Sequence, residues 1–573
     1  MTVALASLAA PDALAEGRAA LFAGDPVAAA SLFNELAQDD PADYESRYWL
    51  YSALVAAGEA QAAFEMLEEA RTLHAVAQIR AMGADMQLFQ TDRAYCAQIG
   101  GQLYAANLMG EASVALGRAL DLENLNHQLM LNYGLSLQHQ GRMDEAIDVF
   151  SAAADIFKHP EVHQFLLYPL FHAQDRARRV SEEARKWANL YAAPLTPAKV
   201  AFANERTSAR RLRVGYVAPN FTRGQLAQFI VPVLEAHDPE AVEVFVYCAN
   251  PAAEDALPRN CKIRSTGGVS DTDVVAQIRL DRIDILIDLW GHTAGSRLTV
   301  FARRPAPIQI SWMNFIQTTG LACMDYVLHG DCMQVAGTSE YFTEEIWSLG
   351  EVMTPSRPAS NRPDLTPTPA LKNGFVTFGA FINPAKLNEM TIAAWALILR
   401  DRPADRLVLK YSYFADPVLQ RVTRARFAAY GAQPEQLEFR GRSDGVDYLR
   451  AFQDIDLALD PAPCPGGTGS FDALANGVPV LTQLGEDFYA RIGPLIDLPC
   501  GLPELVADDW DDYIVRAHAL TADFDALNAL RAKTRAGYDA SPYRDEAGFV
   551  RKLESVFREM FARWVAANAA AAA

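Results

Sequence analysis

The sequence lacks several features that would assign it to a simple class. No apolar run among its 573 residues is long enough to span a membrane, and no Lys or Arg precedes the mildly apolar N-terminus. The seven cysteines are scattered without a Cys-x-x-Cys pair, which predicts a reduced, cytoplasmic protein without a structural zinc site. Basic residues are few: 51 Lys and Arg against 71 Asp and Glu give a net charge of -20. This balance argues against nucleic acid as the main partner, because phosphate backbones demand a basic surface.

The first 200 residues are rich in Ala and Leu, contain few prolines and show helical spacing of apolar positions. Gly24 and Gly58 begin similar segments 34 residues apart, which is the tetratricopeptide period, and we expect later turns at Gly110 and Gly141. The pattern predicts a helical solenoid over residues 1–200. Such a solenoid is either purely structural or, as its extended surface favours, a docking site for a peptide or protein.

From Arg211 onwards buried strands alternate with helices, which predicts two Rossmann-like α/β lobes. The boundaries follow from composition: a first lobe over 211–353, a Pro-rich linker over 354–371, a second lobe over 372–540 and a C-terminal helix within 541–573. Strands are predicted at 213–217, 244–248, 285–289, 308–313, 376–381, 407–411, 437–441, 457–460 and 478–482.

The strongest candidate phosphate site follows the strand predicted at 457–460. Its glycines let backbone amides approach an anion, and a helix predicted to begin near Ser470 adds a favourable dipole. Asp472 is placed to accept hydrogen bonds from ribose hydroxyls; the alternative is a structural loop with a capping carboxylate. The candidate loop residues are Gly466, Gly467, Thr468, Gly469 and Ser470.

A second candidate site follows the strand at 285–289, where Gly291-His292-Thr293 forms a polar turn. The carboxyl ends of such strands are where open α/β sheets bind ligands. His292 there can bind a sugar, orient an acceptor or carry a proton. The alternative is a ring whose nitrogens are satisfied by backbone groups. Asp288, inside the strand, is expected to support the loop.

Several segments closely resemble the family of O-GlcNAc transferase and SPINDLY-like protein glycosyltransferases over about residues 211–530. They are DILIDLWGHTAG, FARRPAPIQISW, TTGLACMDY, ALANGVPVLT and GLPELVA. The resemblance implies a tetratricopeptide-like solenoid followed by a GT-B fold of two Rossmann-like lobes. It also implies an inverting transfer from a nucleotide-sugar co-substrate, without a metal or other cofactor, to Ser or Thr of a protein.

The same resemblance assigns roles to further residues. Phe381 to Lys386 matches the family's aromatic-x-(Asn/Gln)-x-x-Lys motif, so Asn383 and Lys386 are expected to contact the donor, with Lys386 on its phosphate. Arg491 matches an arginine of the family, although a structural pairing with an acidic neighbour is an equal alternative. His292 and Lys386 are the catalytic candidates, and His292 lies on the acceptor side.

The sequence departs from the family pattern where donor sugar and acceptor would meet. Gly224 stands where the family has a histidine, and Arg223 and Gln225 flank it on the acceptor side. The segment 313–316 and the loop 466–469 also differ. These changes favour a donor other than UDP-GlcNAc. The subgroup that the sequence most resembles is the flagellin-modifying glycosyltransferases of alphaproteobacteria. That subgroup implies flagellin as the acceptor and a CMP-activated nonulosonic acid such as pseudaminic acid, whose carboxylate suits Arg223 and Gln225.

Three alternatives stay open at this point. The first is a UDP-GlcNAc- or GDP-fucose-dependent protein O-glycosyltransferase. The second is a catalytically inactive scaffold or chaperone that retains the fold, which the missing histidine at Gly224 favours. The third is a GT-B enzyme that acts on a free sugar or lipid.

Overall fold

The computed structural model describes residues 10–122, 126–207, 209–221, 226–249 and 257–570. The chain divides into two compact units. The first unit comprises residues 1–149, 366–461 and 510–529, and the second comprises residues 150–365, 462–509 and 530–573. Within the described residues, no helix combines the length and apolarity needed to cross a membrane.

Helix pairs joined by short turns form the N-terminal part of the chain, as the repeat pattern predicts. Gly24, Gly58 and Gly141 have φ angles of 84°, 83° and 81°, which confirms the predicted turns. The helices are α1 (Ala10–Phe22), α2 (Pro26–Asp39), α3 (Tyr44–Ala56), α4 (Ala60–Ala81), α5 (Met86–Thr91), α6 (Arg93–Ala105), α7 (Met109–Asp121), α8 (His127–His139) and α9 (Met143–Phe157).

The turn predicted at Gly110 is wrong. Asn107, with a φ of 64°, makes the turn, because Asn is one of the few residues that tolerate the left-handed region. Gly110 lies instead in the first turn of α7. A Cβ at this position would lie 2.7 Å from Cβ of Val418, so the glycine is needed for close packing.

Three more helices follow in the second unit and lead into a parallel sheet. The helices are α10 (Pro160–Gln164), α11 (Leu167–Leu170) and α12 (Arg176–Trp187). The sheet contains β1 (Leu212–Ala218), β2 (Val242–Cys248), β3 (Lys262–Ser265), β4 (Ile285–Asp288), β5 (Ile308–Ser311), β6 (Tyr326–His329) and β7 (Glu345–Ser348). Its helices are α13 (Ala227–Ala236), α14 (Asp271–Leu280) and α15 (Leu298–Ala302).

The strand order of this sheet is β3-β2-β1-β4-β5-β6-β7, with every pair parallel. The order reverses direction between β1 and β4, which is the switch point where doubly wound sheets bind ligands. The four strands predicted for this lobe are confirmed. Sequence reasoning missed β3, β6 and β7; β3 and β7 are not buried, so they lack the apolar run that marked the other strands.

A second set of parallel strands lies in the first unit, with the order β10-β9-β8-β11. Residues 349–369, which precede it, contain no helix or strand, whereas the last two residues of the predicted linker, 370 and 371, belong to a short helix. The elements are α16 (Ala370–Asn373), β8 (Thr377–Ala380), α17 (Glu389–Arg400), β9 (Arg406–Lys410), α18 (Pro417–Ala428), β10 (Leu437–Arg440), α19 (Gly445–Arg450) and β11 (Leu457–Leu459).

The remaining elements complete the α/β lobes. They are α20 (Thr468–Ala475), β12 (Val480–Gln483), α21 (Ile492–Asp497), β13 (Val506–Ala507), α22 (Trp510–Leu520), α23 (Phe524–Ala540) and α24 (Glu546–Ala570). Strand β12 pairs in parallel with β13. Helix α24 packs on α13, and the Glu554 carboxylate accepts hydrogen bonds from His237 and from the backbone N–H of Asp238.

Candidate functional site

The loops after β1 and β4 flank the switch point of the sheet in the second unit. Three acceptor-side candidates, Arg223, Gly224 and Gln225, follow β1 in the sequence and lie outside the described residues. In the loop after β4, the buried Asp288 carboxylate accepts hydrogen bonds from the backbone N–H groups of Trp290 and Gly291, at 3.3 and 2.7 Å. Burial raises the pKa of Asp288 to about 7. Asp288 therefore supports the loop, as the sequence predicts.

His292 is enclosed rather than open to solvent. The residue is only 3% exposed. Its Nε2–H donates a hydrogen bond to the carbonyl oxygen of Thr319 at 2.8 Å. The rings of Trp187 and Phe315 pack edge-on against it, with centroid distances of 4.8 and 5.3 Å. Burial lowers the pKa of His292 to about 4, so the ring is neutral at pH 7. A backbone carbonyl satisfies Nε2, whereas the buried Nδ1 has no hydrogen-bond partner among the described residues, so only one ring nitrogen fits the alternative in which backbone groups satisfy the ring.

Gly291 explains how Phe315 reaches His292. The φ of Gly291 is 57°, and a Cβ there would lie 2.2 Å from Cβ of Phe315. Only glycine permits both the left-handed backbone and this contact. The turn Gly291-His292 is thus built for tight packing against the segment after β5.

Glu344 fixes the Thr318-Thr319-Gly320 segment, and sequence reasoning missed it. Its buried carboxylate accepts hydrogen bonds from Oγ1 of Thr318 at 2.6 Å and from N–H of Thr319 at 2.7 Å. Gly320 has a φ of 74°, and a Cβ there would lie 2.4 Å from the carbonyl oxygen of Ala184 in α12. The segment therefore packs closely against the backbone of α12. No local pattern marks Glu344, because its partners in this segment, Thr318 and Thr319, lie 26 and 25 residues away in the chain.

Phe171, just after α11, contacts the candidate phosphate loop. Its carbonyl oxygen accepts a hydrogen bond from Sγ of the buried Cys464 at 3.2 Å. Its ring stacks on Tyr489 at 4.8 Å and meets Phe315 edge-on at 5.6 Å. These contacts place Phe171 between the loop that follows β5 and the glycine-rich loop. Sequence reasoning missed it, because an aromatic residue in a helical stretch is more often ordinary core.

The glycine-rich segment is a loop-to-helix junction, as predicted, although α20 begins at Thr468 rather than near Ser470. The Gly467 carbonyl accepts from the N–H groups of Ser470 and Phe471, at 3.0 and 3.1 Å. The first N–H groups of a helix have no partner inside it, so this end favours an anion. Asp472 is half-buried at the end of the first turn.

Arg491 lies at the start of α21, close to the same loop region. Its Nε–H donates to the carbonyl oxygen of Gly485 at 2.9 Å. This bond spans six residues and closes the segment between β12 and α21. The side chain of Arg491 thus binds a backbone carbonyl rather than the acidic neighbour of the structural alternative.

In the first unit the switch point lies between β8 and β11, and the loop after β8 carries Lys386. Oδ1 of Asn383 accepts from N–H of Ala385 at 3.1 Å, and N–H of Lys386 donates to the Asn383 carbonyl at 2.9 Å. Asn383 thus caps the short 3₁₀ turn Pro384–Lys386. The side chain of Lys386 is half-buried at this strand end.

Comparison with known proteins places these loops in a wider context. Residues 138–352 and 367–553 match Glycosyl transferase family 41. A probable UDP-N-acetylglucosamine–peptide N-acetylglucosaminyltransferase SPINDLY of Oryza sativa subsp. japonica is 32% identical over 396 residues. That match covers 68% of this chain and 43% of the relative. The Arabidopsis thaliana protein of the same description is 31% identical, over 65% of this chain and 42% of the relative. The chain thus spans less than half the length of these relatives.

A solved structure extends the similarity to nearly the whole chain. A mutant of the O-GlcNAc transferase of Thermobaculum terrenum is 28% identical, with a TM-score of 0.77. The match covers 97% of this chain and 98% of that protein. The order of helical repeats followed by two α/β lobes is therefore shared with that protein, and the predicted GT-B fold is confirmed.

Proposed function

Because the chain belongs to glycosyl transferase family 41, we propose that it transfers a sugar from a nucleotide-sugar donor to a Ser or Thr hydroxyl of a protein. The observation that carries the proposal is the similarity over 97% of the chain to an O-GlcNAc transferase. The plant relatives, described as peptide N-acetylglucosaminyltransferases, support the same reaction class.

Donor binding is proposed for the two strand-end loops. The N-terminus of α20 and the glycines before it offer backbone N–H groups to phosphate oxygens, aided by the helix dipole. Asp472 accepts from the ribose hydroxyls. Lys386 neutralises the negative charge that grows on the leaving phosphate. Asn383 and Arg491 act indirectly, because each side chain holds the shape of its own loop.

The proposed step is a direct displacement with inversion. The acceptor oxygen forms a bond to the anomeric carbon while the bond from that carbon to the phosphate oxygen breaks. The nucleotide leaves with the bonding electron pair, and the acceptor proton passes to a phosphate oxygen. This route needs no protein base. His292 is assigned a loop-bracing role, because its buried ring holds the Thr319 carbonyl through Nε2.

A donor screen tests the proposal. Titration calorimetry with UDP-, GDP- and CMP-sugars identifies the donor, and Lys386→Ala and Asp472→Ala are each expected to weaken its binding at least about 10-fold. Loss of a hydrogen bond to a charged group costs about 1.5–3 kcal/mol, which corresponds to that change. Lys372→Ala is the control, because Lys372 is an exposed lysine of the same unit. Unchanged donor affinity in both test variants would contradict the placement of the nucleotide.

Within this reaction class we propose a CMP-activated nonulosonic acid as the donor and flagellin as the acceptor. The support is local: the segment 313–316 and the loop 466–469 depart from the family pattern, whereas the motif from Phe381 to Lys386 matches it. Mass spectrometry of flagellin from a strain that lacks this protein checks the idea. An unchanged flagellin glycan would refute it, and binding of UDP-GlcNAc or GDP-fucose alone would favour those donors instead.

Two further outcomes separate the remaining alternatives. Donor binding without transfer to any cognate acceptor would favour the inactive scaffold. Transfer to a free sugar or lipid that survives addition of a competing acceptor protein would favour a non-protein acceptor.

A further inference from the structure

The loop that carries Lys386 is held by contacts to its backbone carbonyl groups. Such contacts matter for a lysine, because its flexible stem gives no orientation of its own. The position of the ammonium group depends on how firmly Pro384, Lys386 and Leu387 are fixed. The described contacts come from two places in the first unit.

Arg426 of α18 makes the first contact. One of its N–H groups donates to the Leu387 carbonyl, with Nη2 at 3.1 Å from the oxygen. The same guanidinium pairs with Glu389, with Nη2 at 2.7 Å and Nε at 2.8 Å from Oε1. The side chain of Arg426 is only 13% exposed. Arg426 therefore clamps the backbone directly after Lys386.

The helical repeats fix α18 in turn. Ser52 of α3 donates to the carbonyl of Ala425, next to Arg426, at 2.9 Å. Arg421 binds the Glu45 carboxylate at 2.8 Å and lies over the ring of Tyr48 at 4.6 Å. The apolar face of α18 is buried with side chains of α3 and α4; the cluster comprises Val418, Val422, Ala425, Tyr48, Tyr51, Ala63, Leu67, Ala70 and Ala75. Part of the predicted docking surface is thus covered by a helix of this chain.

The turn between α8 and α9 lies beside the same loop. Gly141 lies so close to the loop that a Cβ there would be 3.4 Å from the Pro384 carbonyl oxygen and 3.7 Å from that of Leu387. Two residues before Gly141, the ring of His139 packs on the ring of Tyr413, with 4.3 Å between their centroids. The repeats therefore lie next to the loop and fix α18, which carries Arg426.

We propose that Arg426 is a positioning residue for Lys386, and that the helical repeats hold it in place through α18. This inference rests on the proposed function, in which Lys386 binds the donor phosphate. It gives the repeats a role in donor binding that is separate from acceptor docking.

Arg426→Ala tests the inference, with Arg424→Ala as the matched control. Arg424 lies on the same helix, is also half-buried and also donates to a backbone carbonyl, that of Pro434. The measurements are the affinity for UDP, GDP and CMP by calorimetry, KM and kcat with the donor that the screen identifies, and the thermal unfolding temperature. Acylation of Lys386, followed by mass spectrometry with and without nucleotide, reports on the lysine itself.

Arg426→Ala is expected to lower the affinity for the nucleotide about 10-fold and to raise KM for the donor. It is also expected to reduce the protection from acylation that bound nucleotide gives Lys386. Arg424→Ala is expected to stay within about 2-fold of the wild type in these readouts while losing similar thermal stability. If Arg426→Ala does not fold, Arg426→Lys replaces it, with Arg424→Lys as its control. Lysine keeps the charge beside Glu389 but lacks the fork that binds two groups, so an intermediate loss is expected.

The outcomes separate the inference from the function. If Lys386→Ala weakens donor binding but the Arg426 and Arg424 variants behave alike, the positioning role is refuted and the proposed function stands. If Lys386→Ala leaves donor binding unchanged, the assigned donor site itself fails, and the positioning role fails with it.

Discussion

Replacing His292 by Gln distinguishes a brace from a proton carrier. The side-chain amide of Gln can place an N–H near the position of Nε2 and keep the bond to the Thr319 carbonyl, which is 2.8 Å long in the structure. A Gln amide does not accept a proton at neutral pH. If the ring only holds the loop, His292→Gln keeps most of the transferase activity.

The structure sets the size of the effect of the harsher change, His292→Ala. It leaves the Thr319 carbonyl without its donor, which costs about 1–3 kcal/mol. It also opens a cavity between Trp187 and Phe315, and large-to-small core changes cost about 2–5 kcal/mol. We therefore expect a loss of about 3–8 kcal/mol in unfolding free energy. His292→Gln is expected to lose about 1–2 kcal/mol, mainly from aromatic packing.

The assay combines urea unfolding with the pH dependence of kcat/KM. Burial lowers the pKa of His292 to about 4 from 6.5, so the unfolded chain binds a proton in this range that the folded chain does not. Stability should fall as pH drops from about 6.5 to about 4, and this loss should shrink in His292→Gln. General base catalysis contributes about 100-fold or more. A well-folded His292→Gln protein with a rate loss of that size would refute the bracing role.

Two further predictions concern stability. Burial and the neighbouring Asp416 raise the pKa of Glu111 above its usual range, and burial also raises the pKa of Asp416, so the folded pair keeps a proton that the unfolded chain releases. Stability should therefore fall as pH rises above about 4.5, the usual pKa of Glu, and the thermal unfolding temperature should depend less on pH in Glu111→Gln than in the wild type. Gly320→Ala should cost about 2–5 kcal/mol, because its Cβ would meet the backbone of Ala184, whereas Gly374→Ala, with the same φ of 74° and no atom within 4 Å, should lose only about 1–2 kcal/mol. Equal urea midpoints for the two glycine variants would contradict the packing argument.

Local patterns in the sequence predicted most of the secondary structure. Buried apolar runs such as Ile285–Asp288 and Ile308–Ser311 identified strands, because a strand covered on both faces needs continuous apolar residues. The short strand Lys262–Ser265 was missed, because its exposed and charged residues carry no such signal. The Gly110 turn was misplaced, because a glycine that allows close helix packing looks in sequence like a turn glycine.

The candidate site was predictable only in part. The glycine-rich loop and the Asn383–Lys386 turn are contiguous motifs, so a single sequence displays them. His292 was found by its position at a strand end, but the burial of its ring by Trp187 was not visible, because that contact joins residues 105 positions apart in the numbering.

The sequence by itself determined the order of helical repeats and two α/β lobes, the strand-end loops and the family. These features depend on local periodicity, glycine placement and contiguous motifs. Tertiary structure decided which side chains support those loops. Glu344 reaches Thr319, Phe171 reaches Cys464 and Arg426 reaches the Leu387 carbonyl only after distant segments pack together. Such contacts have no local signature, because they arise from packing and not from periodicity.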